Sequence, residues 1–425
     1  MRVNFRPVLI PVRAGCILAL SFACALAPTA VASADEHAPD TRGHYEDGVF
    51  IPGTREEAPN TDGCPQATRP PEPVSTSEAS VAGPSPTPPP VAYTGPCGIT
   101  APPGFTIDAS VLASAWLIAD LDTGEIIAMK DPHGRYRPAS IIKVLLALVA
   151  IDELPLDRVV TASPESAGQE GSRVGLVEGG SYSVNDLLHG LLLASGNDAA
   201  HALAQELGGD EETLAKVNAL ARRLGMDDTY VASYSGLDAP GMSSSAFDLG
   251  LAYREAFAHP VFADIVDTVF YDFPGHEDLP GFEVWNDNAL YHEDPDGIGG
   301  KTGYTDDANH TFVGAVNHEG QRLVAVLLDT TADKARPWEQ AQHLLHESYA
   351  FRGHAGVARL EPRAAAEPTP APRPATPQAQ QPPEQATVER SAPWRSLLIV
   401  AGVVVLAAVG VALSLGSQAK SGRRR

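Results

Sequence analysis

The chain has 425 residues, with 53 acidic and 30 basic side chains and a formal net charge of −23. A chain of this length holds one large domain or two. So negative a body repels a phosphate backbone, which excludes nucleic acid as a partner; the charge reads as a solubility device rather than as steering for substrate.

Residues 1–34 read as a secretory signal. Arg2, Arg6 and Arg13 come before the apolar run 14–26, and Ala32-Ser33-Ala34 offers small residues for cleavage. Cys16 and Cys24 fall inside it, so Cys64 and Cys97 remain as an even pair in an oxidising compartment, where a disulfide is expected. Two cysteines without histidine at ligand spacing do not make a zinc site, and neither metal nor cofactor is expected. Residues 35–104 are polar and rich in Pro, Ser and Thr. They are expected to be extended or disordered, with order only around the cysteine pair.

A compact domain is expected over 105–357. Residues 116–121, the turn Asp122-Thr123-Gly124 and residues 125–130 read as a hairpin. Pro138 opens a helix whose residues Ile141, Ile142, Val144, Leu145, Leu146, Leu148 and Val149 are apolar, which puts Ser140 in its first turn. Val159 and Val160 start a short extended piece, and 168–180 is glycine-rich and irregular. Ser183 with Asp186 resembles a capping box ahead of a helix at 187–194. Further helices are expected over 199–207, over 211–224 with Gly225 as its stop, and over 245–258. Gly299 to Gly303 leads into a second sheet segment, a hairpin at 311–316 and 322–328 follows, and a helix at 338–349 closes the domain. Strands at both ends with helices between them predict one α/β domain: an antiparallel sheet with a helical insert. His276-Glu277-Asp278 and His292-Glu293-Asp294 read as solvated loops rather than metal ligands, and Asp306-Asp307 as a turn.

Residues 358–394 form a Pro-rich linker. The 19 residues at 397–415 within the segment 395–416 are almost wholly apolar, long enough for a helix to cross about 30 Å of hydrocarbon. The tail 417–425 carries Lys420, Arg423, Arg424 and Arg425, which places it in the cytoplasm and the domain outside a single-pass membrane anchor.

Ser140 and Lys143 are three apart, on one face of a helix. A serine hydroxyl needs a neighbouring base to become a nucleophile, and a lysine is a base only if burial or a nearby cation depresses its pKa. Two more strings follow in order, Ser195-Gly196-Asn197 and Lys301-Thr302-Gly303. This trio is the one carried by penicillin-binding proteins and class A β-lactamases. Arg137-Pro138-Ala139 before Ser140, Asp198-Ala199-Ala200 after Asn197, and Tyr304-Thr305 after Gly303 resemble the D-alanyl-D-alanine carboxypeptidases, the low-molecular-mass penicillin-binding proteins of serine peptidase family S11. The resemblance covers roughly 113–351. It departs in Ile142, where the family commonly has Thr, and in the linker and apolar segment that stand in place of a second domain.

The resemblance implies a serine β-lactamase/transpeptidase-like fold, an antiparallel sheet flanked by terminal helices plus an all-helical subdomain. It implies a carboxypeptidase that removes the terminal D-alanine of peptidoglycan stem peptides, is acylated by β-lactam antibiotics and works as a monomer. Ser140 would be the nucleophile, Lys143 the base and Ser195 a proton relay. Asn197 would bind the substrate amide, Lys301 would supply positive potential, and Thr302 and Thr305 would bind the terminal carboxylate. Backbone N–H groups of Ser140 and Tyr304, beside Gly303, would form the oxyanion hole. Arg336 reads either as a carboxylate partner or as a surface residue. The alternatives are a D,D-endopeptidase, a class A β-lactamase and a non-catalytic penicillin-binding sensor. The second lacks its Glu-x-x-Leu-Asn string between Asn197 and Lys301, and the third would not need Ser140, Lys143 and Ser195.

Overall fold

Two apolar hairpins far apart in sequence join edge to edge into one sheet. In the computed structural model, which describes residues 43–74 and 93–361, the sheet strands are β1 (Ile99–Thr100), β2 (Ala115–Asp120), β3 (Glu125–Lys130), β4 (Gly297–Thr305), β5 (Asn309–His318), β6 (Gln321–Thr330) and β7 (Ala358–Arg359). Their order is β4-β5-β6-β2-β3-β7, with β1 also on β3, and every pairing is antiparallel. The join lies between β6 and β2, where Leu328 faces Ala115, Val326 faces Leu117 and Val324 faces Ala119. The expected signal, the apolar segment 397–415 and most of the linker lie outside the described residues, as do residues 75–92.

Side chains alternate across a strand, and here both faces are covered. Leu117, Ala119, Val313, Val324 and Val326 pack on the helical insert. Trp116, Ile118, Phe312, Leu323 and Leu327 pack on the other side with Leu344 and Leu345 of the closing helix. Burial on both faces is why these strands read as near-continuous apolar runs rather than alternating ones.

The main helices are α1 (Lys143–Glu153), α2 (Val184–Leu193), α3 (Asn197–Glu206), α4 (Asp210–Leu224), α5 (Ala246–Ala258), α6 (Pro260–Val266) and α7 (Pro337–Ser348). α1 is buried on all sides from Lys143 to Ala150, so its sequence is apolar all round. The expected capping box is present at α2: Ser183 Oγ accepts from Asp186 N–H at 3.0 Å, and the Asp186 carboxylate accepts from Ser183 N–H at 2.7 Å. Gly225 ends α4 at φ +77°, a left-handed conformation that glycine adopts without strain. The sheet class, the insert and these boundaries follow the sequence reading closely.

Three features differ from it. Ser140 lies in a 3₁₀ turn, Ala139–Ile142, and the α-helix starts only at Lys143. The segment after α5 holds more structure than its Pro and Gly content suggests: α6, a hairpin of Phe270–Phe273 with Phe282–Trp285, and a short helix Ala289–Glu293. His292-Glu293-Asp294 is therefore no solvated loop, since the buried Asp294 carboxylate accepts from Gln342 Nε2 and contacts His346 Nε2.

The third difference is at the domain's edges. Ordered packing begins well before Phe105. Cys64 and Cys97 form the expected disulfide, but Arg55 and Thr61 are also buried against the domain. Arg55 donates to the Asp329 carboxylate at 2.7 Å and to the Asp329 carbonyl at 2.5 Å. Composition registers the polarity of this stretch and not the buried partner that a single arginine finds. At the other end β7 pairs with β3 and Leu360 is fully buried, so the sheet runs past residue 357.

Candidate active site

The turn that carries Ser140 is built by strain and burial together. Ala139 has φ +49° and Ser195 φ +58°, left-handed values that cost a non-glycine residue free energy and that cluster at functional sites. Gly236 approaches so closely that a Cβ there would lie 2.1 Å from the Ala139 carbonyl oxygen. The Thr311 hydroxyl donates to the Pro138 carbonyl at 2.8 Å, and the Tyr253 hydroxyl donates to the Ile141 carbonyl at 2.8 Å. The turn is thus fixed from β5 on one side and α5 on the other.

Ser140 is half-buried and Lys143 fully buried. Lys143 Nζ lies 2.8 Å from Ser140 Oγ, 2.7 Å from Asn197 Oδ1 and 2.5 Å from the Ser235 carbonyl oxygen. A neutral amine has two N–H donors and one lone pair. Donating to Asn197 and Ser235 leaves the lone pair for the Ser140 hydroxyl proton. Burial, and next the positive charge of Lys301, hold the Lys143 pKa well below that of an ordinary lysine, which favours that neutral form. No carboxylate bonds directly to this amine among the described hydrogen bonds.

The second wall comes from the α2–α3 junction. Ser195 lies just past the end of α2, and Asn197 is the first residue of α3, two residues earlier than expected. Asn197 Nδ2 donates to the Glu170 carbonyl at 2.6 Å, and the Asp198 carboxylate accepts from the N–H groups of Val174, Gly175 and Leu176. These bonds order the glycine-rich stretch at 168–180, whose fold the sequence left irregular.

The third wall is β4, an edge strand that leaves one row of backbone groups free. A Cβ on Gly303 would lie 3.0 Å from Ser140 N, so only glycine lets the strand come this near. Lys301 is fully buried, its Nζ 3.7 Å from Asp287. Burial lowers the Lys301 pKa and Asp287 opposes that shift. The Thr302 hydroxyl donates to Asp287 at 2.8 Å. The Thr305 hydroxyl donates to Asp238 at 2.8 Å and accepts from Ala308 N–H. Its proton is thus directed at Asp238, while its oxygen closes the β4–β5 turn. Tyr304 is exposed beside His310, ring centroids 4.8 Å apart. Thr302 and Arg336 line one cavity of about 290 Å³ with Phe312 and Trp338.

The structure therefore gathers all three strings around one hydroxyl. The D-alanyl-D-alanine carboxypeptidase family profile matches residues 101–332. The chain belongs to the D-alanyl-D-alanine carboxypeptidase family. It is 44% identical over 254 residues to D-alanyl-D-alanine carboxypeptidase DacB2 of Mycobacterium tuberculosis, spanning 58% of this chain and 86% of that one. A crystal structure of a D-alanyl-D-alanine carboxypeptidase from M. tuberculosis H37Rv superposes with a TM-score of 0.59 at 42% identity, over 61% of this chain and 99% of the other. Penicillin-binding protein 6B from Escherichia coli superposes with a TM-score of 0.52 at 30% identity, over 58% and 80%. Family membership makes the chain a hydrolase of the peptidase class with the serine-transpeptidase fold.

Sequence reasoning missed the carboxypeptidase's supporting residues. Ser235, Asp238 and Asp287 belong to none of the three strings, and each reaches the site from a loop whose position only the fold sets. Asp198 was legible in principle, as the residue directly after Asn197 in the first turn of a helix.

Proposed function

We propose that Ser140 is the nucleophile that removes the terminal D-alanine from peptidoglycan stem peptides through an acyl-enzyme. The observation that carries this reading is the buried Lys143 amine, held by Asn197 and Ser235 with its third contact on the Ser140 hydroxyl. Ser140 Oγ attacks the carbonyl carbon of the penultimate D-alanine as its proton passes to Lys143. The N–H groups of Ser140 and Tyr304 stabilise the oxyanion, each donor of this kind contributing about 3–4 kcal/mol. The C–N bond then breaks, and the departing D-alanine amine takes a proton relayed through Ser195. Water cleaves the ester, restoring Ser140. Asn197 holds the substrate amide, while Lys301, Thr302 and Arg336 bind the terminal carboxylate. A β-lactam follows the first half of this path and stays attached to Ser140.

The location belongs to the same proposal and is supported by sequence pattern. Residues 1–34 direct export, and 395–416 anchor the domain outside the cell membrane. Among the described residues no helix is long and apolar enough to cross a membrane. Incubating residues 35–390 with a defined stem pentapeptide, and identifying products by mass, tests the reaction. Release of one D-alanine supports it, and an intact peptide refutes it. Recovery of full-length mature protein in the soluble fraction without detergent would rule out the anchor.

A further inference from the structure

The N-terminal extension, residues 43–74, lies outside the family match of 101–332, yet it touches both walls of the groove. On the nucleophile side, Arg135 N–H donates to the Gln66 carbonyl at 2.8 Å and Arg135 Nη1 to the Thr68 carbonyl at 2.9 Å. Arg137 Nη1 donates to the Pro71 carbonyl at 2.7 Å, three residues before Ser140. On the β4 side, the Tyr45 hydroxyl donates to Asp306, and Val74 N–H donates to Asp307. Between these points Arg55 is anchored on Asp329, and Cys64 is joined to Cys97.

Pro52, Gly53 and Thr54 of the extension enclose a cavity of about 400 Å³ together with Tyr304, His310 and Thr331. His310 is shared with the cavity that holds Thr302 and Arg336. Thr331 is 5% exposed, and its buried hydroxyl finds no partner among the described residues.

The direction of the substrate follows from the site. With the terminal carboxylate at Thr302 and the scissile carbonyl at Tyr304 N–H, the acyl side of the peptide runs along β4 toward Asp306, where the extension stands. We infer that residues 43–74 form a clasp across the acyl-side end of the groove, and that Pro52, Gly53 and Thr54 with Tyr304, His310 and Thr331 line a subsite for the stem-peptide residues upstream of the scissile bond. This rests on the placement of the scissile carbonyl proposed above.

The test compares a stem pentapeptide with an N-acetylated tripeptide made of its last three residues, and with acylation by a small fluorescent penicillin. The variants are Tyr45→Phe, which removes one contact to Asp306, and Arg55→Met, which frees the anchor; circular dichroism establishes that each is folded. The expected result is a loss of about tenfold in kcat/KM for the pentapeptide, carried mainly by KM, the scale of a lost hydrogen bond to a charged group. Tripeptide cleavage and penicillin acylation should stay within about twofold of wild type. Equal losses on all three substrates would overturn the subsite, because the extension would then only brace the catalytic walls. Unchanged pentapeptide kinetics in both folded variants would overturn the clasp. A wild-type protein inert toward both peptides would overturn the site reading and the clasp with it.

Discussion

Replacing Lys143 with methionine keeps the volume and removes the amine. The lost general base is expected to slow acylation by about 10²–10⁴-fold. The structural effect has opposing parts. Asn197 Oδ1 and the Ser235 carbonyl, which accept at 2.7 Å and 2.5 Å, lose their donor, at about 1–3 kcal/mol for each buried acceptor left bare. Against that, the protein no longer has to desolvate an amine that is fully buried. The net stability change is therefore smaller than the sum of the lost bonds, and the variant should fold. The unfolded chain binds a proton at this lysine that the folded chain, with its depressed pKa, does not. Wild type consequently gains stability relative to Lys143→Met as pH rises toward 10.5. The assay is the second-order rate of acylation by a fluorescent penicillin across pH. Wild type should show a rising limb through a pKa below 10.5, and the variant should lack it. A folded Lys143→Met protein acylated within tenfold of wild type, with the limb intact, would refute the assignment of Lys143 as base.

Three further outcomes are expected. Asp287→Asn takes away the charge that keeps Lys301 protonated, so the falling alkaline limb of the acylation profile should move to lower pH; a limb that stays in place shows that Lys301 does not govern it. The Asp238 carboxyl is pushed up from 3.8 to about 7, chiefly by burial, so folding takes up a proton there and that contribution is lost as pH rises from about 4 to 7. Asp238→Asn should accordingly raise Tm at pH 8 more than at pH 5, by no more than about 4 kcal/mol of stability, and a pH-independent difference in thermal melts would contradict it. The double variant Cys64→Ser, Cys97→Ser opens a loop with a sequence separation of 33 and should lower unfolding free energy by about 3–4 kcal/mol in the chain-entropy picture, read by urea denaturation; equal stability would mean that Arg55 alone holds the extension.

Local rules carried the sequence reading where residues act on near neighbours. The Asp122-Thr123-Gly124 turn, the Ser183–Asp186 capping box and Gly225 as the α4 stop are all decided within a few residues, and so they are written in the sequence. The three strings were legible for the same reason: each is short, and Ser140 and Lys143, three apart, share one face of the turn that carries them. What the sequence could not fix is which distant groups complete them. The carbonyl that accepts from Lys143 is that of Ser235, 92 positions away, and the carboxylate beside Lys301 comes from Asp287. A backbone carbonyl carries no sequence signature, and an aspartate in a loop looks the same whether it faces water or a buried ammonium. Arg55 makes the point most sharply. In a polar, proline-rich stretch one arginine is unremarkable, and only the assembled sheet, which presents the Asp329 carboxylate and carbonyl together near the end of β6, turns that residue into the anchor of the extension.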